Sequence, residues 1–226
     1  MKYTISERDI LKQCSSPFIV SVKSAYQSPS KLILTQEYCP CGDLASLLVK
    51  KQKLSEQIAK LYVCEIVLAI DYLHSKGIIY RDLKPDNILL EREQMQVKII
   101  DFGFSVITEK KLTTFCGTPS YMAPEIVSKT EFCGPPTDIW ATGVLLYTFF
   151  NGCFPFRGSN DKELYAKICQ GDFPIPEHVP KGAAELLKKM IKVKAEERPT
   201  SAEIYCEPWV QGTAPSQESS QSMTSF

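Results

Sequence analysis

Apolar residues recur at helical spacing over most of the second half of this chain and over one long segment before it. Between Ser55 and Gly77 they follow one face of a long amphipathic helix, for which Ser55 is a suitable N-cap and Gly77 a suitable stop. From Asp138 onward the same spacing predicts further helices. These helices are expected over residues 139–150, 163–169, 183–193 and 202–206.

The first half of the chain has a mixed pattern. A helical segment is predicted over 7–14 and stops before Pro17. Segments 18–26 and 31–38 are β-rich and separated by a turn-like insert, so they predict two adjacent antiparallel strands. A short helix is expected over 43–49, and short apolar strands over 88–90 and 97–100.

Charge and hydropathy exclude some classes of partner. Lys and Arg together number 26, and so do Asp and Glu, so no net field attracts a nucleic acid or a membrane surface. The longest apolar run, 139–150, is about 12 residues, whereas a bilayer span needs roughly 20. We therefore expect no nucleic-acid partner and no membrane insertion.

The cysteines and the chain ends bear on location. Nine cysteines form an odd set without regular spacing, and the N-terminus lacks the apolar core of a signal peptide. Reduced thiols in an intracellular, cytoplasmic protein are expected. Cys39-Pro40-Cys41 is a CxC without a second pair nearby, which is a poor metal site. Residues 211–226 are polar and predicted to form a disordered tail.

Three sparse motifs stand in the middle of the chain. They are Ile-Tyr-Arg-Asp-Leu-Lys-Pro-Asp-Asn at 79–87, Asp-Phe-Gly at 101–103 and Ala-Pro-Glu at 123–125. In this order and spacing they resemble the catalytic loop, the magnesium loop and the end of the activation segment of eukaryotic protein kinases of the Ser/Thr type. The resemblance runs from about Ile5 to Trp209 and suits both the calcium/calmodulin-dependent-like and the AGC-like groups.

The resemblance implies an α+β, protein-kinase-like fold. Residues 1–38 would form an incomplete small lobe, consisting of the end of one helix and two strands. Residues 39–210 would form a complete, mainly helical large lobe, and 211–226 the tail.

The resemblance also implies a set of catalytic residues that use ATP and Mg²⁺. Asp82 stands where the family places the carboxylate that accepts the proton of the substrate hydroxyl, and Lys84 where a cation meets the moving phosphoryl group. Asn87 and Asp101 would supply oxygen ligands to Mg²⁺. An aspartate on a loop is more often a turn former or an N-cap, but four such residues in register favour the functional interpretation.

ATP binding is implied by the segment after the second predicted strand. Glu37 and Cys39 lie in a stretch that resembles the hinge whose backbone groups bind adenine, and Leu89 would lie under the ring. Asp86 is grouped with these nucleotide-site residues. An edge strand followed by a turn would look the same without a ligand.

A regulatory switch is a further expectation. Thr114 lies where activation-loop phosphorylation occurs in the family, and Arg81 would grip the phosphate. Thr118 belongs to the same segment. Arg81 could equally satisfy local carbonyl groups.

Several residues resemble structural positions of the family. Tyr80, Phe102, Leu11 and Val22 match a column of apolar side chains between the lobes, although each would also suit an ordinary core. Glu7 aligns with the helix glutamate that, in the family, pairs with the lysine of the preceding strand. Glu125 and Arg198 match a buried ion pair, and Asp138 a carboxylate that caps the catalytic loop or simply its own helix. The residues with a predicted structural role are therefore Glu7, Tyr80, Phe102, Glu125, Asp138 and Arg198.

The partner implied by the resemblance is a protein with a Ser or Thr acceptor, because Lys84 and the Gly117-Thr118 pair are typical of Ser/Thr kinases. Asp43 and Asp86 stand where kinases that favour basic substrates carry acids, so a basic residue upstream of the acceptor is expected. These acids could also be solvated surface. The oligomeric state is left open.

The resemblance also implies a Gly-rich strand-turn-strand and a lysine-bearing strand before Glu7. Neither is present, since Lys2 stands only five residues before Glu7. The chain is therefore expected to be a truncated portion of a longer kinase or a short chain without normal turnover, and we favour the first because all the chemistry of the large lobe is present. A non-catalytic, pseudokinase-like docking module is the alternative.

Overall fold

The computed structural model of the chain describes residues 2–28, 31–91, 96–108, 111–132 and 134–212. The predicted disordered tail lies outside these residues, apart from its first two positions. The chain starts with helix α1 (Lys2–Leu11), followed by strands β1 (Val22–Gln27) and β2 (Leu32–Gln36). The two strands pair in antiparallel fashion, as predicted, with a register shift between Val22 and Ser24. Helix α1 ends three residues before the predicted end, where a turn leads toward Pro17.

Two helices follow the first sheet. Helix α2 (Leu44–Lys51) is capped by Asp43, whose carboxylate accepts the Ser46 N–H at 2.6 Å. Helix α3 (Glu56–Ser75) begins after Ser55, whose hydroxyl accepts the Ile58 N–H. It ends before Gly77, which adopts a positive φ of 68° that glycine tolerates without strain. The predicted caps of α3 are confirmed.

Short strands then frame the motif loops. Strand β3 (Ile78–Ile79) pairs with β6 (Val106–Ile107), and β4 (Ile88–Leu90) pairs with β5 (Val97–Ile99). Strands β4 and β5 match the prediction to within one residue. The sequence pattern treated 101–125 as irregular and predicted neither β3 nor β6, because a two-residue strand carries no period of its own.

The remaining chain is helical. Its helices are α4 (Pro124–Val127), α5 (Pro135–Asn151), α6 (Asp161–Gln170), α7 (Lys181–Met190), α8 (Ser201–Tyr205) and α9 (Pro208–Gln211). Short 3₁₀ turns lie at Pro85–Asn87, Pro119–Tyr121 and Ala195–Glu197. The predictions for α5 to α8 were right in kind, but α5 begins four residues earlier and α7 ends three residues earlier than expected.

Helix α5 forms the centre of the core. Its residues from Thr137 to Phe150 are buried, which explains why apolar side chains occur on every face of this stretch. Helices α3 and α7 pack against α5, and α8 packs on α3. Trp140 stacks on Phe156 with ring centroids 5.6 Å apart.

The architecture is α+β, as predicted, with a small two-stranded sheet near the N-terminus and a helical body around α5. The division at residues 38 and 210 stays a prediction. No helix in the described ranges has the length and apolar character needed to cross a bilayer.

Candidate active site

Asp82 lies at the centre of a small polar cluster. It sits in the loop between β3 and β4 and is 4% exposed. Its Oδ1 accepts the hydroxyl of Thr118 at 3.0 Å, and its Oδ2 lies 2.9 Å from the Lys84 ammonium. The amide Nδ2 of Asn87 donates to the same Oδ2 at 3.0 Å. The carboxylate is therefore held in one orientation by three side chains, two of them neutral.

Thr118 also accepts a hydrogen bond from Lys84 Nζ at 3.1 Å. The threonine thus bridges the carboxylate and the ammonium, and it ties the segment before α4 to the loop after β3. Sequence analysis grouped Thr118 with regulatory residues, whereas the structure brings its hydroxyl into contact with Asp82.

The β4–β5 hairpin brings Asp101 to the end of the hairpin that bears Asn87. Ile88 pairs with Ile99, so Asn87 and the residues after β5 lie at one end of the hairpin. The backbone N–H of Ile100 donates to the carbonyl of Asn87 at 2.9 Å. Asp101 follows with a φ of 58°, and its Oδ1 accepts the Gly103 N–H at 3.1 Å. Asp101 is thus a strained left-handed residue with an exposed side chain, and it follows directly after the hairpin end that bears Asn87.

Asp138, in the first turn of α5, holds the loop that carries Asp82. Its carboxylate accepts the backbone N–H groups of Tyr80 and Arg81 at 3.0 and 2.8 Å and contacts His74 Nε2 at 2.8 Å. Arg81 has a φ of 73°. Asp138 is 1% exposed, so these bonds neutralise the cost of burying its charge. Of the two interpretations of Asp138, the loop-capping one matches these contacts.

Glu125 and Arg198 form a bidentate ion pair with N–O distances of 2.7 and 2.8 Å. The guanidinium also donates to the carbonyls of Lys192, Pro136 and Val193. It lies over the Trp140 ring at 5.0 Å. The pair therefore fastens α4 to the segment before α8.

The apolar column is formed in part by edge-to-face contact between Tyr80 and Phe102, whose centroids are 5.2 Å apart. Leu11 is buried in the same core and Val22 packs against it. Glu7 lies near the Phe102 backbone and Asp101. Burial first, and then the charge of Asp101, raise the pKa of Glu7.

The hinge segment contains a buried ion pair that sequence analysis missed. Lys98 Nζ lies 2.9 Å from Glu37 Oε1, and the lysine side chain is 8% exposed. Glu37 also accepts the Ser21 N–H at 2.9 Å. Burial alone would raise the pKa of Glu37, but the bonds from Lys98 and Ser21 outweigh it and lower the pKa. The signal in the sequence was a lysine inside the apolar run of β5.

Two of the other nucleotide-site candidates, Cys39 and Leu89, lie near this hinge. Cys39 is buried, and Leu89 is half-buried and pairs across the hairpin with Lys98. Asp86 is exposed on the 3₁₀ turn before β4.

The proposed phosphorylation site Thr114 and its proposed partner Arg81 are not paired in the described part of the chain. Thr114 is exposed, and Arg81 Nε donates to the Phe104 carbonyl at 2.6 Å. No hydrogen bond or ion pair joins Thr114 to Arg81 in the part of the chain that the structure describes. The alternative in which Arg81 satisfies a local carbonyl therefore matches the unmodified chain.

Comparison with known proteins identifies the family. A protein kinase domain model matches residues 1–210. The chain belongs to the protein kinase family. Its fold is accordingly a protein kinase fold, and this family generally uses ATP and Mg²⁺ and acts on protein substrates.

Similar kinases come from several lineages. The chain is 40% identical over 198 residues to cAMP-dependent protein kinase type 3 of Saccharomyces cerevisiae, covering 88% of this chain and 49% of that kinase. It is 41% identical over 192 residues to human ribosomal protein S6 kinase alpha-3, covering 84% of this chain and 26% of that kinase. It is 37% identical over 215 residues to the probable serine/threonine-protein kinase MARK-A of Dictyostelium discoideum, covering 94% of this chain and 20% of that kinase. These names place it among Ser/Thr kinases, and it spans about half the length of the yeast relative.

Proposed function

We propose that the chain carries the phosphoryl-transfer site of a Ser/Thr protein kinase and transfers the γ-phosphate of ATP to a Ser or Thr hydroxyl of a protein. The observation that carries the proposal is the Asp82 cluster. A carboxylate, an ammonium and a hydroxyl contact one another within 3.1 Å, next to the end of the β4–β5 hairpin that bears Asp101.

In this proposal Asp82 orients the acceptor hydroxyl and accepts its proton. The bonds from Thr118 and Asn87 fix the carboxylate before the substrate arrives, so little reorganisation is needed. Lys84 lies beside the carboxylate, where its charge stabilises the negative charge of the phosphoryl group in transfer.

Asn87 and Asp101 would hold Mg²⁺. Because the Asn87 nitrogen donates to Asp82, the amide oxygen faces away and is left for a cation, and Asp101 presents an exposed carboxylate at the same hairpin end. This set fits Mg²⁺, which takes one or two protein oxygens and completes its octahedron with water and phosphate oxygens. When bound, the ion would neutralise phosphate charge.

The adenine would lie against the backbone of 37–39, above Leu89. Support comes from the Glu37–Lys98 and Glu37–Ser21 contacts, which hold the hinge strand in a fixed position. Among the acids expected to meet a basic substrate, Asp86 has an exposed side chain, whereas Asp43 uses its carboxylate to cap α2. We therefore propose that Asp86 alone contacts the basic residue upstream of the acceptor. Phosphorylation of Thr114 remains a proposed switch.

The test is incorporation of labelled phosphate from Mg·ATP into a basic Ser-containing peptide. Asp82→Asn is expected to lower the rate at least about a hundredfold, as for loss of a general base. Because the 226 residues contain no Gly-rich phosphate loop, the same assay is run with a Gly-rich strand-turn-strand and a lysine strand fused before Met1.

Two results would argue against the proposal. One is no transfer by either protein together with no Mg²⁺-dependent thermal shift with ATP, which would support a docking module. The other is transfer that Asp82→Asn leaves unchanged. Asp172→Asn, an exposed aspartate outside the cluster, is the matched control.

A further inference from the structure

Two adjoining surface grooves lie on the helical body, and the first is lined by Ser120, two residues after Thr118 in the chain. The first, about 450 Å³, extends from Ser120 to Arg157. The second, about 410 Å³, lies between the ends of α2 and α5 and includes Val49 and Lys53. Both are lined by Thr148 and Gly152. We call the two together the distal groove.

The distal groove is cationic. Lys53 and Arg157 line it and are exposed, and Lys50 and Lys51 stand in the last turn of α2 beside it. None of its described lining residues is acidic, and no ion pair within the described ranges involves these four cations. In a chain with equal numbers of acidic and basic residues, such a local excess of positive charge favours an anionic partner.

The groove also offers apolar contact, and a buried hydrogen-bond acceptor lies in its wall. Val49 is 82% exposed on its rim, and Phe154 is half-buried in its wall. The amide oxygen of Asn151 is buried without a hydrogen-bond partner among the described residues, while its nitrogen donates to the Tyr147 carbonyl. A buried acceptor of this kind is normally satisfied, and a small rearrangement of the groove wall on binding would let a backbone N–H of an extended peptide reach it.

We propose that the distal groove binds an acidic, partly apolar segment of the substrate protein, the protein whose Ser or Thr hydroxyl is phosphorylated. The inference rests on the proposed function, because Ser120 in the groove is two residues along the chain from Thr118 of the Asp82 cluster. It adds a requirement to that function: the acceptor protein carries, apart from a basic residue that meets Asp86, a separate run of Asp or Glu with one bulky apolar side chain.

The test measures binding by fluorescence anisotropy without nucleotide. The probes are fluorescein-labelled Ser peptides that carry a run of glutamates and one leucine on one side of the acceptor, compared with peptides in which glutamine replaces glutamate. The chain is expected to bind the acidic peptide at least about tenfold more tightly, and the difference should shrink at high salt.

Charge reversal then locates the site. Lys53→Glu combined with Arg157→Glu should abolish the preference and favour a lysine-rich peptide. The matched control, Lys188→Glu with Lys192→Glu, makes the same change in charge at exposed lysines that line a different groove, and should keep the preference. If the first variant fails to fold, Lys53→Gln with Arg157→Gln takes its place and should remove the preference without reversing it.

Equal binding of the acidic and glutamine peptides by the unmodified chain would overturn the inference, and so would an equal loss in the control variant. Since the measurement needs neither ATP nor turnover, it separates the two proposals. A chain that binds the acidic peptide but transfers no phosphate loses the proposed function and keeps the groove. A chain that transfers phosphate without peptide preference does the reverse.

Discussion

At the scale of single residues, Asp138 connects helix α5 to the loop that carries Asp82. Its two oxygens accept two backbone N–H groups and contact His74, all in a buried setting. Replacing it by asparagine removes the charge and turns an N–H₂ group toward donors. At least one backbone N–H would then be left without an acceptor.

We therefore predict that Asp138→Asn lowers the free energy of unfolding by about 3 kcal/mol. Urea denaturation followed by circular dichroism measures the change. Asp172→Asn removes an exposed carboxylate and should stay within about 0.5 kcal/mol of the unmodified chain. A loss no larger in Asp138→Asn than in this control would mean that water replaces the lost acceptor.

Glu65 on α3 gives a prediction about pH. Burial raises its pKa from 4.5 to about 7, although its Oε2 accepts the Val97 N–H at 2.7 Å. Between these two pKa values the folded chain holds a proton that the unfolded chain has lost, so this group makes stability fall as pH rises toward 7.

Glu65→Gln keeps an acceptor for Val97 and removes the titration. The variant is expected to match the unmodified chain near pH 5 and to be more stable by about 2 kcal/mol near pH 8, somewhat less than the full pKa shift gives because the side chain is partly exposed. Thermal unfolding across this pH range measures the difference. Glu185→Gln, on the exposed face of α7, should show no such crossover. A constant difference between pH 5 and pH 8 would contradict the assignment.

At the scale of elements, the Glu125–Arg198 pair decides how α4 sits on the helical body. The arginine side chain is fully buried and its partner nearly so. Removing one partner strands the other charge, so Arg198→Met is expected to cost about 3 to 5 kcal/mol, and Glu125→Gln a similar amount.

The double variant distinguishes pairing from general packing. Combining Glu125→Gln with Arg198→Met should cost clearly less than the sum of the two single changes, because no unpaired charge remains. Additive losses in urea denaturation would show that the two side chains act independently. Lys194→Met with Glu197→Gln removes an exposed pair nearby and should change stability by less than about 1 kcal/mol.

The same scale shows what the sequence could predict. Periodicity identified α3 and α5 because their apolar faces repeat over several turns, but it placed the start of α5 at Ile139, although Pro135 and Pro136 are favourable first-turn residues. Strands β3 and β6 were not predicted because each is only two residues long and their pairing joins residues far apart in sequence. At the site, spacing singled out Asp82, Lys84, Asn87 and Asp101. It could not reveal the Lys98–Glu37 pair or the bond between Thr118 and Asp82, since both depend on tertiary contacts.

At the scale of the whole molecule, stability is unevenly distributed. Helix α5 is buried along its length, whereas β1 and β2 form a two-stranded sheet in which Tyr26 and Ile33 are 60% and 50% exposed. Such a sheet is marginal by itself. It is fastened to the rest by the Val20 N–H bond to the Ile99 carbonyl and by the Glu37–Lys98 pair.

We predict that the amides of β1 and β2 exchange with solvent through a local opening, with a free energy at least about 2 kcal/mol below that of the α5 amides. Hydrogen exchange with mass spectrometry in low urea measures both. Lys98→Met should lower protection of β1 and β2 further and leave α5 unchanged, because it releases Glu37 from β5. Lys23→Met, an exposed lysine on β1, is the control and should alter neither. Equal opening free energies and equal urea dependence in the sheet and in α5 would show instead that the molecule unfolds as one cooperative unit.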